Sequence, residues 1–167
     1  MSVVIRPARP DDAATLVALG TAVGREDGAW LLTSTKWRSI SEERRYLRAL
    51  KRYPHAAVYV ADDGGRVVAR LSLARDTHPS SHHVADLGIL VARSHRGRGI
   101  GHALLEQAVA WARDAGVSKI ELHVFPWNEP ALRLYDSFGF EREGVRRRHY
   151  RRDGQLVDVI LMAYHLG

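Results

Sequence analysis

Arg96-Gly97-Arg98-Gly99-Ile100-Gly101 lies between an apolar run at residues 85–91 and a segment whose apolar residues Ile100, Ala103, Leu104, Ala108, Trp111 and Ala115 recur at three- and four-residue spacing. The pattern predicts a strand, a glycine-rich loop and a helix in direct succession. The three glycines leave backbone amides uncovered, and the helix N-terminus adds partial positive charge, so the loop has the chemistry of an anion site. Two arginines accompany the glycines. A dinucleotide-binding turn needs a small residue where His102 stands, and the Gly-Lys-Ser/Thr ending of a nucleoside-triphosphate loop is missing, so both of those phosphate-binding classes are demoted. The plain alternative is a tight strand-to-helix turn with no ligand.

Upstream, residues 3–8 read as a strand, and Pro10-Asp11-Asp12 starts a helix with Ala13, Leu16, Val17 and Val23 on its apolar face, ending near residues 20–24. Residues 26–40 look irregular and carry Trp30, Leu31, Leu32 and Trp37. Ser41-Glu42-Glu43-Arg44 opens a second helix that runs to about Arg52. Two β-rich runs, 56–61 and 66–75, flank the hairpin turn Asp62-Asp63-Gly64-Gly65. Downstream, Gly116 stops the long helix and residues 119–124 return as a strand. A short helix at 130–138 carries Ala131, Leu134, Tyr135 and Phe138 on one face and ends at Gly139. Two final strands, 140 to about 150 and 156–164, join through Arg152-Asp153-Gly154. The order β-α-α-β-β-β-α-β-α-β-β implies a mixed α/β fold with a parallel crossover wherever a strand follows a helix.

A length of 167 residues with 46% hydrophobic content fits one domain, taken as 1–167. The absence of cysteine excludes disulfides, zinc-thiolate sites and thiol nucleophiles. Neither a signal peptide nor an apolar run of roughly 18 residues is visible, so a soluble, cytoplasmic protein with no membrane partner is expected. A formal charge of +6 favours anionic partners.

Arg96, Gly99 and Gly101 satisfy the signature of Arg or Gln, two residues, Gly, one residue, Gly or Ala. Downstream stands Asn128-Glu129-Pro130-Ala131-Leu132-Arg133-Leu134-Tyr135-Asp136-Ser137-Phe138-Gly139-Phe140. Together these resemble the GNAT superfamily of N-acetyltransferases over roughly residues 3–164. The resemblance implies a mostly antiparallel twisted sheet of about seven strands with a splayed parallel pair, flanked by about four helices. It also implies acetyl-CoA as co-substrate and no metal. The diphosphate would sit on Arg96, Gly97, Arg98, Gly99, Ile100 and Gly101, with backbone groups near Leu90 and Val91 bonding the pantetheine arm and Asn128 holding it from the opposite strand.

In this frame Tyr135, one helical turn after Ala131, is the proton donor to the departing thiolate. Asp86 is the base acting through water, although a solvated strand residue is an equal reading, and Glu26, Glu121 and His123 are further candidates. Glu26, Trp30 and Leu31 fall in the region that forms the acceptor wall in the superfamily. The stretch from His83 to Val91 and residues 144–162 resemble amino-acid and phosphinothricin acetyltransferases, which implies a small primary amine as acceptor. A ribosomal-protein-type N-terminal acetyltransferase and a catalytically silent CoA-binding module are the alternatives, and a homodimer is expected.

Two further clusters have bland readings. His78, His82 and His83 have metal-ligand spacing but lack a carboxylate or cysteine to complete a set, and read as an exposed polar loop. Arg142, Arg146, Arg147, Arg148, Arg151 and Arg152 invite a nucleic-acid reading; with Glu141, Glu143 and Asp153 nearby and no ladder of aromatic residues for base stacking, they read as a solvated edge, and contact with nucleic acid or ribosome is not expected.

Overall fold

Seven strands form one sheet in the order β1-β2-β3-β4-β5-β7-β6. In chain order the elements are β1 (Val3–Pro7), α1 (Ala13–Gly24), α2 (Ile40–Ala49), β2 (Ala56–Asp63), β3 (Arg66–Arg75), β4 (Val84–Val91), α3 (Ile100–Ala115), β5 (Lys119–Val124), α4 (Glu129–Phe138), β6 (Glu141–Arg152) and β7 (Gln155–His165), with short 3₁₀ turns between some of them. The computed structural model describes residues 2–28, 30–32 and 37–167. Part of the irregular stretch expected between α1 and α2 therefore lies outside the described residues.

Alternation along the strands separates two apolar layers. Val58 and Val60 of β2 face Leu16, Leu19 and Val23 of α1 and Leu47 of α2. Ala61, Leu71, Leu73, Ile120, Leu122 and Met162 face Leu104, Leu105, Ala108 and Ala112 of α3. The second helix begins two residues earlier than the sequence reading placed it: Ser39 is the N-cap and its hydroxyl accepts from the Glu42 amide at 3.2 Å. Ser39-Ile40-Ser41-Glu42 is thus the capping segment, with Glu42 at the third helical position.

Parallel crossovers are fewer than the element order suggested. Between β1 and β2 the chain makes two helical passes, which return it to the end where β1 finished, so β2 pairs antiparallel with β1. One helix, α3, separates β4 from β5, and these two pair in parallel. One helix also separates β5 from β6, and the two strands run in the same sense, but β7 inserts between them and pairs antiparallel with both.

The parallel pair is short. Val84, Ala85 and Asp86 pair with Lys119, Ile120 and Glu121, and the pairing stops there. Meanwhile β4 stays paired with β3 as far as Val91, and β5 with β7 as far as Val124. Each strand is held by its other neighbour, so the two diverge and the β5-facing edge of residues 87–91 has no strand partner among the described residues.

Candidate functional site

The glycine loop sits just beyond the open edge. A 3₁₀ turn at Arg93–His95 leads into it, and the buried His95 ring ties that turn down: its Nε2 lies 2.8 Å from Asp63 Oδ2 and its Nδ1 2.7 Å from Ser94 Oγ. Gly97 and Gly99 have φ values of 74° and 81°, a backbone region that costs other L-residues about 1–2 kcal/mol. No atom lies within 4 Å of where their side chains would begin, so the space over the loop is open. Gly101 serves differently. A Cβ there would come within 2.8 Å of Leu134 Cδ2, so its small size lets α3 pack closely on α4.

A cleft of about 550 Å³ opens over this loop. Ile89, Leu90 and Val91 of β4 line one side, Gly97, Gly99, Ile100 and Gly101 the base, and Asn128, Ala131, Leu134 and Tyr135 the α4 side. Free amides at a helix start, two glycines that leave them uncovered and a nearby guanidinium suit a diphosphate. Tyr135 is buried, and burial pushes its phenol well above the ordinary tyrosine value. Asn128 caps α4, its Oδ1 accepting from the Ala131 amide at 3.3 Å.

Arg96 is held on this wall by a bidentate pair, Nη1 and Nη2 donating to Glu26 Oε1 and Oε2 at 2.6 and 2.7 Å, while its Nε donates to the Val91 carbonyl. The hydrogen bonds from Arg96 hold the Glu26 carboxyl below the usual carboxylate range against an opposing push from burial. Glu26 also accepts from Trp30 Nε1 at 3.3 Å. Trp127 Nε1 donates to the Gly28 carbonyl at 2.9 Å, and Arg152 Nη1 to the Leu31 carbonyl at 2.8 Å. Glu26, Gly28 and Leu31 are thereby tied to Arg96, Trp127 and Arg152, and Trp30 and Leu31 line the cleft.

A second cleft of about 310 Å³ occupies the α2 face of the same strands. Its strand floor is Arg70, Ser72 and Ala74 of β3, Asp86 and Gly88 of β4, and His123 of β5; Tyr150, Leu32, Arg38 and Tyr46 complete the walls. Burial and the nearby Glu121 charge push the Asp86 carboxyl upward. Burial pushes the His123 imidazole downward, and its Nδ1 lies 2.8 Å from the Tyr150 hydroxyl. A carboxyl and an imidazole thus meet where β4 and β5 part.

The sequence-derived residues divide between the two clefts. Leu90, Val91, Arg96, Gly97, Gly99, Ile100, Gly101, Asn128, Tyr135, Trp30 and Leu31 gather on the first, and Asp86 and His123 on the second. Arg98 is exposed on the loop without lining the cleft. Glu26 sits on Arg96, away from the second cleft, where Leu32 is the representative of its segment. Sequence reading missed His95, Arg70, Arg38, Ser72, Tyr46 and Tyr150. Of these Arg70 had a legible signal, a lone charge inside the apolar run Val67-Val68-Ala69-Arg70-Leu71.

Among the described residues no group of three or more His, Cys, Asp or Glu side chains is arranged to hold a metal. His78 Nδ1 accepts from the Ser80 amide, and His82 packs edge-on against His55. The arginines of β6 lie on the exposed edge strand, except Arg152, which is partly buried with its guanidinium 5.7 Å from the Phe125 ring. No described helix is long and apolar enough to cross a membrane.

Known proteins with similar sequences and folds agree with this geometry. The chain is 38% identical over 108 residues to the L-amino acid N-acetyltransferase AaaT of Escherichia coli, a match covering 62% of this chain and 65% of that protein. It is 39% identical over 103 residues to the N-alpha-acetyltransferase RimI of Mycobacterium tuberculosis, covering 60% and 62% respectively. The chain thus spans somewhat under two thirds of the length of these curated relatives. A solved GNAT-family acetyltransferase from Streptococcus pneumoniae superposes with a TM-score of 0.88 at 27% identity, covering 99% of this chain and 100% of that one. The sequence model of the acetyltransferase (GNAT) family matches residues 28–140, and the chain belongs to that family.

Proposed function

We propose that the protein is an acetyl-CoA-dependent N-acetyltransferase acting on the primary amine of a small acceptor, an amino acid or close analogue. One observation carries the reading. The unpaired edge of β4 separates an anion-binding cleft from a cleft that holds a carboxyl and an imidazole. Acetyl-CoA, when bound, supplies an acetyl thioester on an arm whose other end is a diphosphate.

The amides of Gly97 to Gly101 hold that diphosphate, and the open edge at residues 89–91 presents backbone donors to the arm and to the thioester oxygen. Preorganised donors facing developing negative charge are worth roughly 3 kcal/mol of barrier. The acceptor enters from the second cleft. Asp86 takes the proton that the amine must lose, directly or through one water, while His123, kept neutral by burial, lies beside it. Tyr135, whose hydroxyl stays protonated because its ring is buried, holds the proton for the departing sulfur.

Three features support the small-acceptor form: the likeness to the Escherichia coli relative, the limited size of the second cleft, and the cover of Leu32, Arg38 and Tyr46 over it. The Mycobacterium tuberculosis relative supports a second reading, acetylation of a peptide N-terminus. Thiol release from acetyl-CoA, measured against free amino acids, polyamines and peptides, tests both. Turnover confined to peptides transfers the proposal to the second reading, and the absence of turnover with every amine overturns it.

A further inference from the structure

Besides the Tyr135 phenol, four polar or charged side chains are buried among the described residues: Asp12, Glu43, Arg70 and His95. Three are well matched. Asp12 receives both Nη groups of Arg6 at 2.9 Å, and His95 bonds Asp63 and Ser94. Glu43 accepts from Trp37 Nε1 at 3.3 Å and from Arg38 Nη1 at 3.4 Å. Arg70 is the exception. Its side chain is 7% exposed, its Nη2 stands 3.7 Å from Glu43 Oε1, and its buried Nε has no hydrogen-bond partner among the described residues.

That guanidinium lines the second cleft. Two cations, Arg38 and Arg70, share one carboxylate, Glu43, which leaves an excess of one positive charge at this end. A buried cation with an unfilled donor is costly unless an anion completes its shell. Burial accordingly pushes the Arg70 guanidinium down from its ordinary value, with Glu43 opposing that push. The opposite end of the cleft carries Asp86 and His123. Along β3, Arg70 stands opposite Leu90 and Ala74 opposite Asp86, where β4 and β5 part, a step of four residues or about 13 Å. An extended arginine side chain and the backbone of a bound amino acid together span that step.

We infer that Arg70, with Arg38 beside it, is the carboxylate anchor of the acceptor, and that the cleft selects α-amino acids over amines that lack a carboxylate. This deepens the acetyl-transfer reading and rests on it. The Arg70 guanidinium supplies one charge for the carboxylate, and Arg38 supplies the second. The acceptor's amine then faces Asp86 and His123, while Leu32 and Ala74 offer apolar surface to its side chain. A peptide N-terminus has no α-carboxylate, so the anchor also separates the two acceptor classes.

The test compares L-leucine, L-leucinamide and isoamylamine as acceptors, by thiol release from acetyl-CoA, in the wild type and in Arg70→Gln. The wild type is expected to favour leucine by about 10- to 100-fold in kcat/KM, the range of a charge-assisted bond lost. In Arg70→Gln the ratio of leucine to leucinamide falls towards one, chiefly through KM for leucine, and Arg70→Lys restores part of it. Calorimetric binding of coenzyme A reports folding independently of the acceptor. If Arg70→Gln does not fold, Arg38→Gln at the exposed partner is read in the same assay, with a selective loss of several-fold expected. Equal wild-type turnover of the three acceptors, or a variant that loses all three in proportion, overturns the inference and leaves acetyl transfer standing. No turnover of any of them, with coenzyme A bound, overturns the underlying reading instead.

Discussion

Replacing Tyr135 by Phe separates chemistry from stability more cleanly than any other single change at this site. The ring is 6% exposed, tilts against Phe140 at a centroid distance of 5.4 Å, and closes the α4 wall of the first cleft. Phe keeps that packing. Burial is what raises the phenol's proton affinity, and no hydrogen bond to its oxygen is present among the described residues, so deleting the oxygen breaks none of theirs. The stability change is therefore expected within about 0.5 kcal/mol, the scale of substitutions that disturb no packing or paired polar group. A positioned proton donor contributes about 10²- to 10⁴-fold in rate. At about 1.36 kcal/mol per tenfold that is roughly 3–5 kcal/mol of barrier, several times the stability effect.

The assay is steady-state thiol release, with thermal unfolding and coenzyme A calorimetry on the same preparations. Tyr135→Phe is expected to lose at least about 100-fold in kcat, with unfolding temperature and coenzyme A affinity close to wild type. The sign of the pH dependence follows from burial. The donor must be protonated, and its affinity for the proton is raised, so no basic limb from this group is expected up to about pH 10, the ordinary phenol value. A Tyr135→Phe enzyme that turns over at the wild-type rate refutes the assignment, and a stability loss of several kcal/mol refutes the claim that the hydroxyl carries no structural bond.

Asp86 must be ionised to accept a proton, and its pKa is raised, so the wild-type rate should climb with pH through that raised value. Asp86→Asn is expected to remove this limb and lower kcat/KM by about 100-fold; an unchanged profile excludes Asp86 as the base. Glu26→Gln leaves Arg96 without the carboxylate that any incoming diphosphate must compete with, so coenzyme A is expected to bind several-fold more tightly by calorimetry. Weaker binding would mean that Glu26 aims Arg96 instead of occupying it. Burial raises the Asp12 pKa, but the bonds from Arg6 and the Arg9 amide outweigh it and leave the value below the ordinary one. The pair's stabilisation is therefore complete above the unfolded-state value and lost as pH falls through the folded one. Asp12→Asn should cost about 2 kcal/mol near neutrality and progressively less towards acid, a convergence that denaturant titration at several pH values checks.

The fold and first cleft were legible because their determinants are local. Gly97 and Gly99 are needed for backbone conformation, Gly116 and Gly139 terminate helices in the left-handed region, and Ala131, Leu134 and Tyr135 share one face by helical spacing. The second cleft depends on partners distant in sequence. Arg70 of β3 meets Glu43 of α2, and His123 of β5 meets Tyr150 of β6, pairings set by strand order. That order was underdetermined locally, since nothing in the run from Glu141 to His165 announces that β7 comes to lie between β5 and β6. Glu26 shows the same limit. The resemblance suggested the acceptor wall for it, and nothing local announced its salt bridge to Arg96.

The break between β4 and β5 explains why both clefts occur at one place. A parallel pair that continued through Val91 would satisfy its backbone groups internally and seal the sheet, separating the α2 face from the α3 face. Ending the pair at Asp86 and Glu121 leaves a row of backbone donors and acceptors on the edge of residues 87–91. Such an edge is unfavourable if dry and a template for any extended polyamide that completes it. The exposed Gly88 on that stretch has no side chain to block the gap, and a Cβ there would come within 2.9 Å of Ser72 Oγ. An extended arm that pairs with the edge therefore runs from the glycine loop on one side towards Asp86, His123 and Arg70 on the other. The same opening that costs the sheet its continuity sets the two clefts side by side, and filling Gly88 with a bulky side chain should close the gap between them while leaving the loop's affinity for coenzyme A intact.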